Sequence, residues 1–282
     1  MSICVSVKVG EGLVLAADSV SAIGGAVGEG APGVLNTYEH ATKICQVKDY
    51  PMAVASWGIG SVGARTVASL VAEFSNSAPS VKDKEAKGYT AKQLAAQVFG
   101  FVKEKYGEAF EGAPKGREDR PALGLLAAGY GTGEFFPEQY VALLPIDGEL
   151  KPARRSEQPE FGANWYGLTD AILRLYKGFD PSLPDKLLEA GLGKEQVEKV
   201  LGGLEYPVAF DGMPLQDAID FAVYLIGVVI GRFRFVLGAP VCGGQIDVAV
   251  ITPGRFDWVQ RKTWRARPVW HRLEGVSGLA QG

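Results

Sequence analysis

The chain is poor in histidine and cysteine, and that scarcity excludes much chemistry before any motif is read. Only His40 and His271 occur among the 282 residues. A three-histidine zinc site is out of reach, and no HExxH motif is present. The three cysteines, Cys4, Cys45 and Cys242, are odd in number and far apart, without a CxxC pair. This spacing offers no disulfide framework and fits a reducing cytosol, so a cytoplasmic location is expected. A GxxxxGK[ST] phosphate loop is also missing. No basic segment followed by an apolar run opens the chain, so no signal peptide is expected. The most apolar helical stretch, Phe221 to Ile230, is too short to cross a bilayer. Neither sign of charge dominates: the net charge of −3 leaves no electrostatic footprint for nucleic acid. No cofactor, metal, nucleic acid or membrane is therefore expected as a partner.

What is present is an ordered, core-forming chain. Apolar residues make up 47% of it, enough to bury a sizeable core. Residues 2–9 (SICVSVKV) alternate and are rich in β-branched side chains, which predicts a strand. Gly10, Glu11 and Gly12 form a turn into a second strand, 13–18 (LVLAAD), paired antiparallel with the first. The glycine-rich stretch from Ser19 to Gly33 reads as a flexible loop, since it lacks the strand-then-helix context of a phosphate cradle. Strands are expected at Lys43–Val47 and Met52–Trp57. A Gly-Ile-Gly-Ser turn then leads to a helix from about Val62 to Phe74, with Ser61 as cap. After the charged linker VKDKEAKG, Thr90 caps a second helix from about Ala91 to Phe110.

Further strands are expected at 122–128 and about 138–146, around the turn GYGTG, with a short one near Leu150. Helices follow from Thr169 or Asp170 to about Lys177 and from about Leu215 to Ile230, with two short helical patterns between. The last core strand is read at Ile246–Ile251. Strands, two helices, strands, then helices is not the strict alternation of a doubly wound parallel fold. The expected class is α+β, with two antiparallel sheets stacked between helix layers.

The first hairpin also carries the chemistry. With a turn on Gly10 and Glu11, paired residue numbers sum to about 21, so Asp18 lies opposite Ile3, next to Ser2. Methionine before a small residue is commonly trimmed, and removal of Met1 would leave Ser2 with a hydroxyl and a free α-amine. An α-amine has a pKa of about 8 and accepts a proton near neutral pH. That supplies a nucleophile and its base on one residue, without histidine. A lysine beside the hydroxyl favours the developing alkoxide. Lys43, at the start of the third strand, is the natural partner of Asp18, and Lys8 is a weaker competitor. The Ser56-Trp57-Gly58-Ile59-Gly60 turn suits an oxyanion site, because glycine lets substrate approach the backbone closely.

The opening SICVSVKVGEGLVLAADS resembles that of proteasome β-type subunits, N-terminal-nucleophile (Ntn) hydrolases, and in particular divergent bacterial proteasome-like homologues. KICQV resembles that family's lysine-bearing strand, ASWGIGSVGARTV its oxyanion turn and first helix, and GGQIDVAVIT its last strand. The resemblance implies a four-layer αββα sandwich over residues 1–253 and a homo-oligomeric ring or double ring acting on peptide or unfolded protein. An ATP-dependent unfoldase is the candidate partner. It implies Ser2 as nucleophile, Asp18 as the lysine-orienting carboxylate, Lys43 as activator and Gly58 as oxyanion-hole glycine. Departures are serine in place of threonine, the absence of a propeptide, a loop insertion at about 19–36 and a helical insertion at about 178–212. The family's supporting serine and aspartate are replaced by Asn164-Trp165-Tyr166-Gly167 and Ala239-Pro240-Val241-Cys242. Residues 254–282 form a basic, aromatic arm, expected to pack on a neighbouring subunit. Other readings stay open: a catalytically silent ring subunit, a small-molecule amide hydrolase, or a cysteine hydrolase using Cys4 or Cys45 with His40.

Overall fold

A computed structural model describes residues 2–27, 31–82, 88–111, 120–153 and 160–264. Strands β1 (Ile3–Val9) and β2 (Gly12–Ala17) form the first hairpin, followed by β3 (Ser21–Val27), β4 (Ala31–Tyr38), β5 (Ile44–Gln46) and β6 (Met52–Gly58). The short β7 (Ser61–Val62) and β8 (Arg65–Thr66) precede helices α1 (Val67–Ser77) and α2 (Ala91–Ala109). Then come β9 (Leu123–Gly129), β10 (Glu138–Leu144), β11 (Lys151–Pro152) and β12 (Gly162–Gly167). Helices α3 (Asp170–Lys177), α4 (Leu183–Glu189), α5 (Lys194–Gly202) and α6 (Leu215–Phe235) lead to β13 (Asp247–Thr252) and β14 (Arg255–Gln260).

The class is α+β with antiparallel sheets. One five-stranded sheet runs in the order β12-β1-β2-β13-β14, and a second in the order β11-β10-β9-β6-β5. Strand periodicity distributes their side chains to two faces. From β2, Val14 and Ala16 join a cluster with Ile172 of α3 and with Ala222, Leu225 and Ile226 of α6. Leu13, Leu15 and Ala17 face the other way and meet Ile44, Ala53, Ala55, Leu126 and Ala128 of the second sheet. Met52 and Val54 of β6 pack with Leu70 of α1 and Val98 of α2. A strand buried on both faces has no polar side to show, which is why LVLAA is apolar throughout.

Three expectations need correction. The stretch from 19 to 36, read as a loop, holds most of the β3–β4 hairpin, a two-stranded sheet of its own that ends at Tyr38. Its register shifts between Ile23 and Gly24, so a glycine marks a bulge in a strand there. Helix α1 begins at Val67 rather than Val62, because the Thr66 side chain, not Ser61, accepts the capping bond from Ser69 N. Val62 is buried all the same, so its apolar character does not require a helix. Finally, Ile246–Ile251 is not the last strand. β14 follows inside the stretch read as an arm and pairs with β13, with Phe256 and Trp258 packed between the sheets.

The second helix matches its expectation closely: Thr90 and Gln93 form a reciprocal capping box on α2. Helices α4 and α5 occupy the stretch from 178 to 212. Among the described residues no helix is long and apolar enough to cross a membrane. Met1, most of the charged linker and the arm beyond Trp264 lie outside the described residues.

Candidate active site

The first hairpin sets the site. β1 and β2 pair Cys4 with Ala17, and the next step sets Asp18 N donating to Ile3 O at 3.3 Å. Asp18 is fully buried. Its Oδ1 accepts from Ile3 N at 3.1 Å and from the Lys43 ammonium at 2.5 Å. Its Oδ2 accepts from Val20 N at 3.2 Å and Gly243 N at 3.1 Å. A buried carboxylate is tolerable only when so compensated. Lys43 is itself buried, and its carbonyl accepts from Ser56 N at 2.9 Å, fixing the start of β5 against β6.

Ser2 is 5% exposed. Its carbonyl accepts from Leu168 N at 2.8 Å, at the end of β12. Gly167 has φ +98°, and a Cβ there would collide with that carbonyl, so glycine is required for Ser2 to lie where it does. Gly58 has φ +89°, and a Cβ there would run into the Ala122 carbonyl. Ser2, Lys43 and Gly58 line one cavity of about 300 Å³, together with Val20, Ser21, His40, Trp57 and Trp264. Three of the four expected site residues thus share a cavity, and Asp18 holds Lys43 from outside its lining. Lys8 sits towards the turn end of β1, opposite Leu13, and is not among the cavity residues.

The segments around 164–167 and 239–243 both abut this site. Cys242 and Gly243 lie against Asp18, through a thiol and a backbone N–H. Asn164–Gly167 belongs to β12, paired with β1 from Ser6 to Ile3. Gly243 and the β12 ladder contribute backbone contacts where side chains were sought, and backbone donors leave no sequence signal. Thr42, Ser56, Thr66 and Trp264 also border the cavity. Ser56 belongs to the turn read as an oxyanion site; the types of the other three gave no warning, because only the packing of the sheets gathers them.

The cysteines are unsuited to nucleophilic attack. Burial pushes the Cys4 thiol up to about 12 and the Cys45 thiol up to about 11, and raises Cys242 as well. Cys4 donates to Ser56 O at 3.2 Å, a structural bond. The cysteine-hydrolase reading therefore falls away. Among the described residues no cluster of three or more His, Cys, Asp or Glu could hold a metal ion. The arrangement is a hydroxyl, an ammonium fixed by a caged carboxylate, and a glycine turn around one small cavity.

The fold has likenesses among solved structures. Among solved structures, the chain is similar to the Anbu (Gly-1) mutant from Hyphomicrobium sp. strain MC1, with a TM-score of 0.53 and 15% identity over 100% of this chain and 99% of that one. It also matches Anbu (ancestral beta-subunit) from Yersinia bercovieri at 14% identity over 92% of this chain and 87% of that one, with a TM-score of 0.46. No protein-family model and no curated protein sequence matches. These findings correct the assignment to proteasome β-type subunits: the structural neighbours are Anbu proteins, and a 15% identity establishes the fold alone. The opening motif misled for a physical reason. An alternating strand, a glycine turn and a wholly apolar strand ending in aspartate are what this buried first hairpin needs, so the pattern marks the fold rather than the subunit type.

Proposed function

We propose that this chain is a peptide hydrolase of the N-terminal-nucleophile type, with Ser2 as nucleophile once Met1 has been removed. The observation that carries the reading is the common cavity of Ser2, Lys43 and Gly58, with Asp18 holding the lysine. The Ser2 hydroxyl oxygen attacks the peptide carbonyl carbon and gives its proton to the α-amine of the same residue. The oxyanion that forms is stabilised by the Gly58 backbone N–H and by the Lys43 ammonium. Collapse breaks the C–N bond and returns the proton to the leaving amine. The resulting ester on Ser2 is then hydrolysed by water.

The three apolar clusters support a four-layer αββα stacking, with helices outside and the two sheets face to face. An oligomeric chamber, a homo-oligomeric ring or double ring, fits the exposed apolar residues where α6 ends: Phe235, its last residue, is 82% exposed and Leu237, just beyond it, 100%. Unfolded protein delivered by an ATP-dependent unfoldase would suit such a chamber.

Intact mass before and after treatment with a β-lactone or epoxyketone tests the reading. The expected result is loss of Met1 and one adduct, abolished by Ser2→Ala. A chain that keeps Met1, or full peptide hydrolysis by the Ser2→Ala protein, overturns it. A catalytically silent scaffold is favoured by the side chains missing at 164–167 and 239–242, and an adduct on Ser2 eliminates it.

A further inference from the structure

The C-terminal strand delivers a tryptophan to the mouth of the cavity. β14 ends at Gln260, whose side-chain amide donates to Ile246 O at 2.7 Å. Two residues on, Lys262 is stapled twice to Asp247. Its backbone N–H donates to Oδ1 at 2.9 Å, and its ammonium pairs with Oδ2. The two side chains are only 4% and 2% exposed. Arg261 lies over the Trp258 ring of β14 at 4.8 Å, so the segment is held to its own sheet on both sides. Beyond it the chain reaches residues of β6, since Trp264 shares a cavity with Ser56, Trp57 and Gly58.

Trp264 follows at once. It borders the cavity lined by Ser2 and Lys43, yet it is 96% exposed. A single exposed apolar residue is ordinary. A buried ion pair two residues upstream is not, because burying two charges demands close geometry from both partners. The consequence is a fixed point from which the indole overhangs the cavity. Trp57 stands among the same cavity residues, its ring stacked on Tyr166 at 4.6 Å. Ala22 and Ala41 also line the cavity and keep its walls small. A volume of about 300 Å³ lies at the low end for ligand pockets, which suits one large side chain.

We infer that Trp264 is a specificity-determining residue whose indole packs on an aromatic side chain of the substrate peptide beside the scissile bond, with Lys262 and Asp247 positioning it. The inference rests on the peptide-hydrolase reading and names the side chain that site prefers. Rings paired at the usual geometry discriminate by roughly threefold to tenfold.

Two fluorogenic peptides that differ only in phenylalanine or alanine before the scissile bond test it. The wild-type chain is expected to favour the phenylalanine peptide in kcat/KM. Trp264→Ala lowers that preference ratio roughly tenfold, mostly through KM, and Trp264→Phe restores most of it. A ratio unchanged by Trp264→Ala overturns the inference. Binding of the uncleaved peptides to the Ser2→Ala protein, followed by tryptophan fluorescence, separates this from the reading beneath it. If the wild-type chain cleaves neither peptide, the hydrolase reading fails. Phenylalanine-selective binding that is lost with Trp264→Ala then still upholds the recognition role, and binding indifferent to Trp264 overturns it.

Discussion

Two buried lysine–aspartate pairs lie at the same end of the molecule, and they differ in what surrounds the carboxylate. Asp247 is paired across the sheet with Ala17, the neighbour of Asp18 in the chain. Asp18 collects backbone donors from Ile3, Val20 and Gly243 before the Lys43 ammonium is counted. Asp247 accepts the backbone N–H and the ammonium of the same residue, Lys262. The first carboxylate is held by the fold and can itself hold a cation at the cavity wall. The second fastens one chain segment to another. The same two side-chain types thus serve placement of a charge in one case and closure of the structure in the other.

Removing each lysine tests that difference most sharply. Lys43→Met and Lys262→Met each strand a buried carboxylate, with a loss on the order of 3–5 kcal/mol in denaturant unfolding. The larger loss is expected for Lys262→Met, since Asp18 keeps backbone donors from Ile3, Val20 and Gly243, whereas Asp247 keeps the backbone N–H of residue 262. Activity should divide the other way. Lys43→Met lowers peptide hydrolysis by roughly 10²-fold or more. Lys262→Met leaves hydrolysis measurable while eroding the preference for phenylalanine. Equal loss of hydrolysis in two folded variants would erase the distinction.

Gly58→Ala comes next. Its positive φ and the crowding by Ala122 O predict a stability loss of about 1–3 kcal/mol together with a fall in kcat. A normal kcat in the folded variant would remove Gly58 from the oxyanion role.

A smaller effect is expected from pH. Burial raises the Cys4 and Cys45 thiols from 9.0 to about 12 and about 11. The folded chain keeps these protons where the unfolded chain releases them. Their contribution is complete below pH 9.0 and is lost as pH rises towards about 11 to 12. Thermal midpoints should therefore fall across that window, less steeply in a Cys4→Ala variant; an identical slope would remove Cys4 from the account.

The smallest effects separate two helix caps. Thr90→Ala and Thr66→Ala each remove a capping hydroxyl, at about 1 kcal/mol. Thr90 is remote from the cavity and its loss should leave hydrolysis alone, whereas Thr66 borders it and its loss should also shift KM. Identical kinetics for both variants would place Thr66 outside substrate reach.

Local pattern made the first hairpin legible. Alternation, the Gly10–Gly12 turn and a run apolar on both faces settle its register, and with it the nearness of Asp18 to Ser2. The capping box of α2 is equally local. The β3–β4 hairpin was hidden because its glycines carry no side chains to pattern, and β12 because GANWYG mixes polar and aromatic residues on a sheet edge. The tether of Gly243 to Asp18 spans more than two hundred residues through a backbone N–H, which no residue type announces.

By itself, the sequence determined what neighbours in the chain can enforce. Those are a buried hairpin, a carboxylate one step from its first strand's start, glycines where the backbone turns, and too few histidines for most hydrolytic machinery. Only the tertiary structure decided which distant groups meet. Strand pairing folds Gly167 under Ser2 and Gly243 onto Asp18, and packing brings Trp264 round to the cavity. Such meetings depend on how whole elements pack, a sum of many weak contacts, and no short run of residues encodes them.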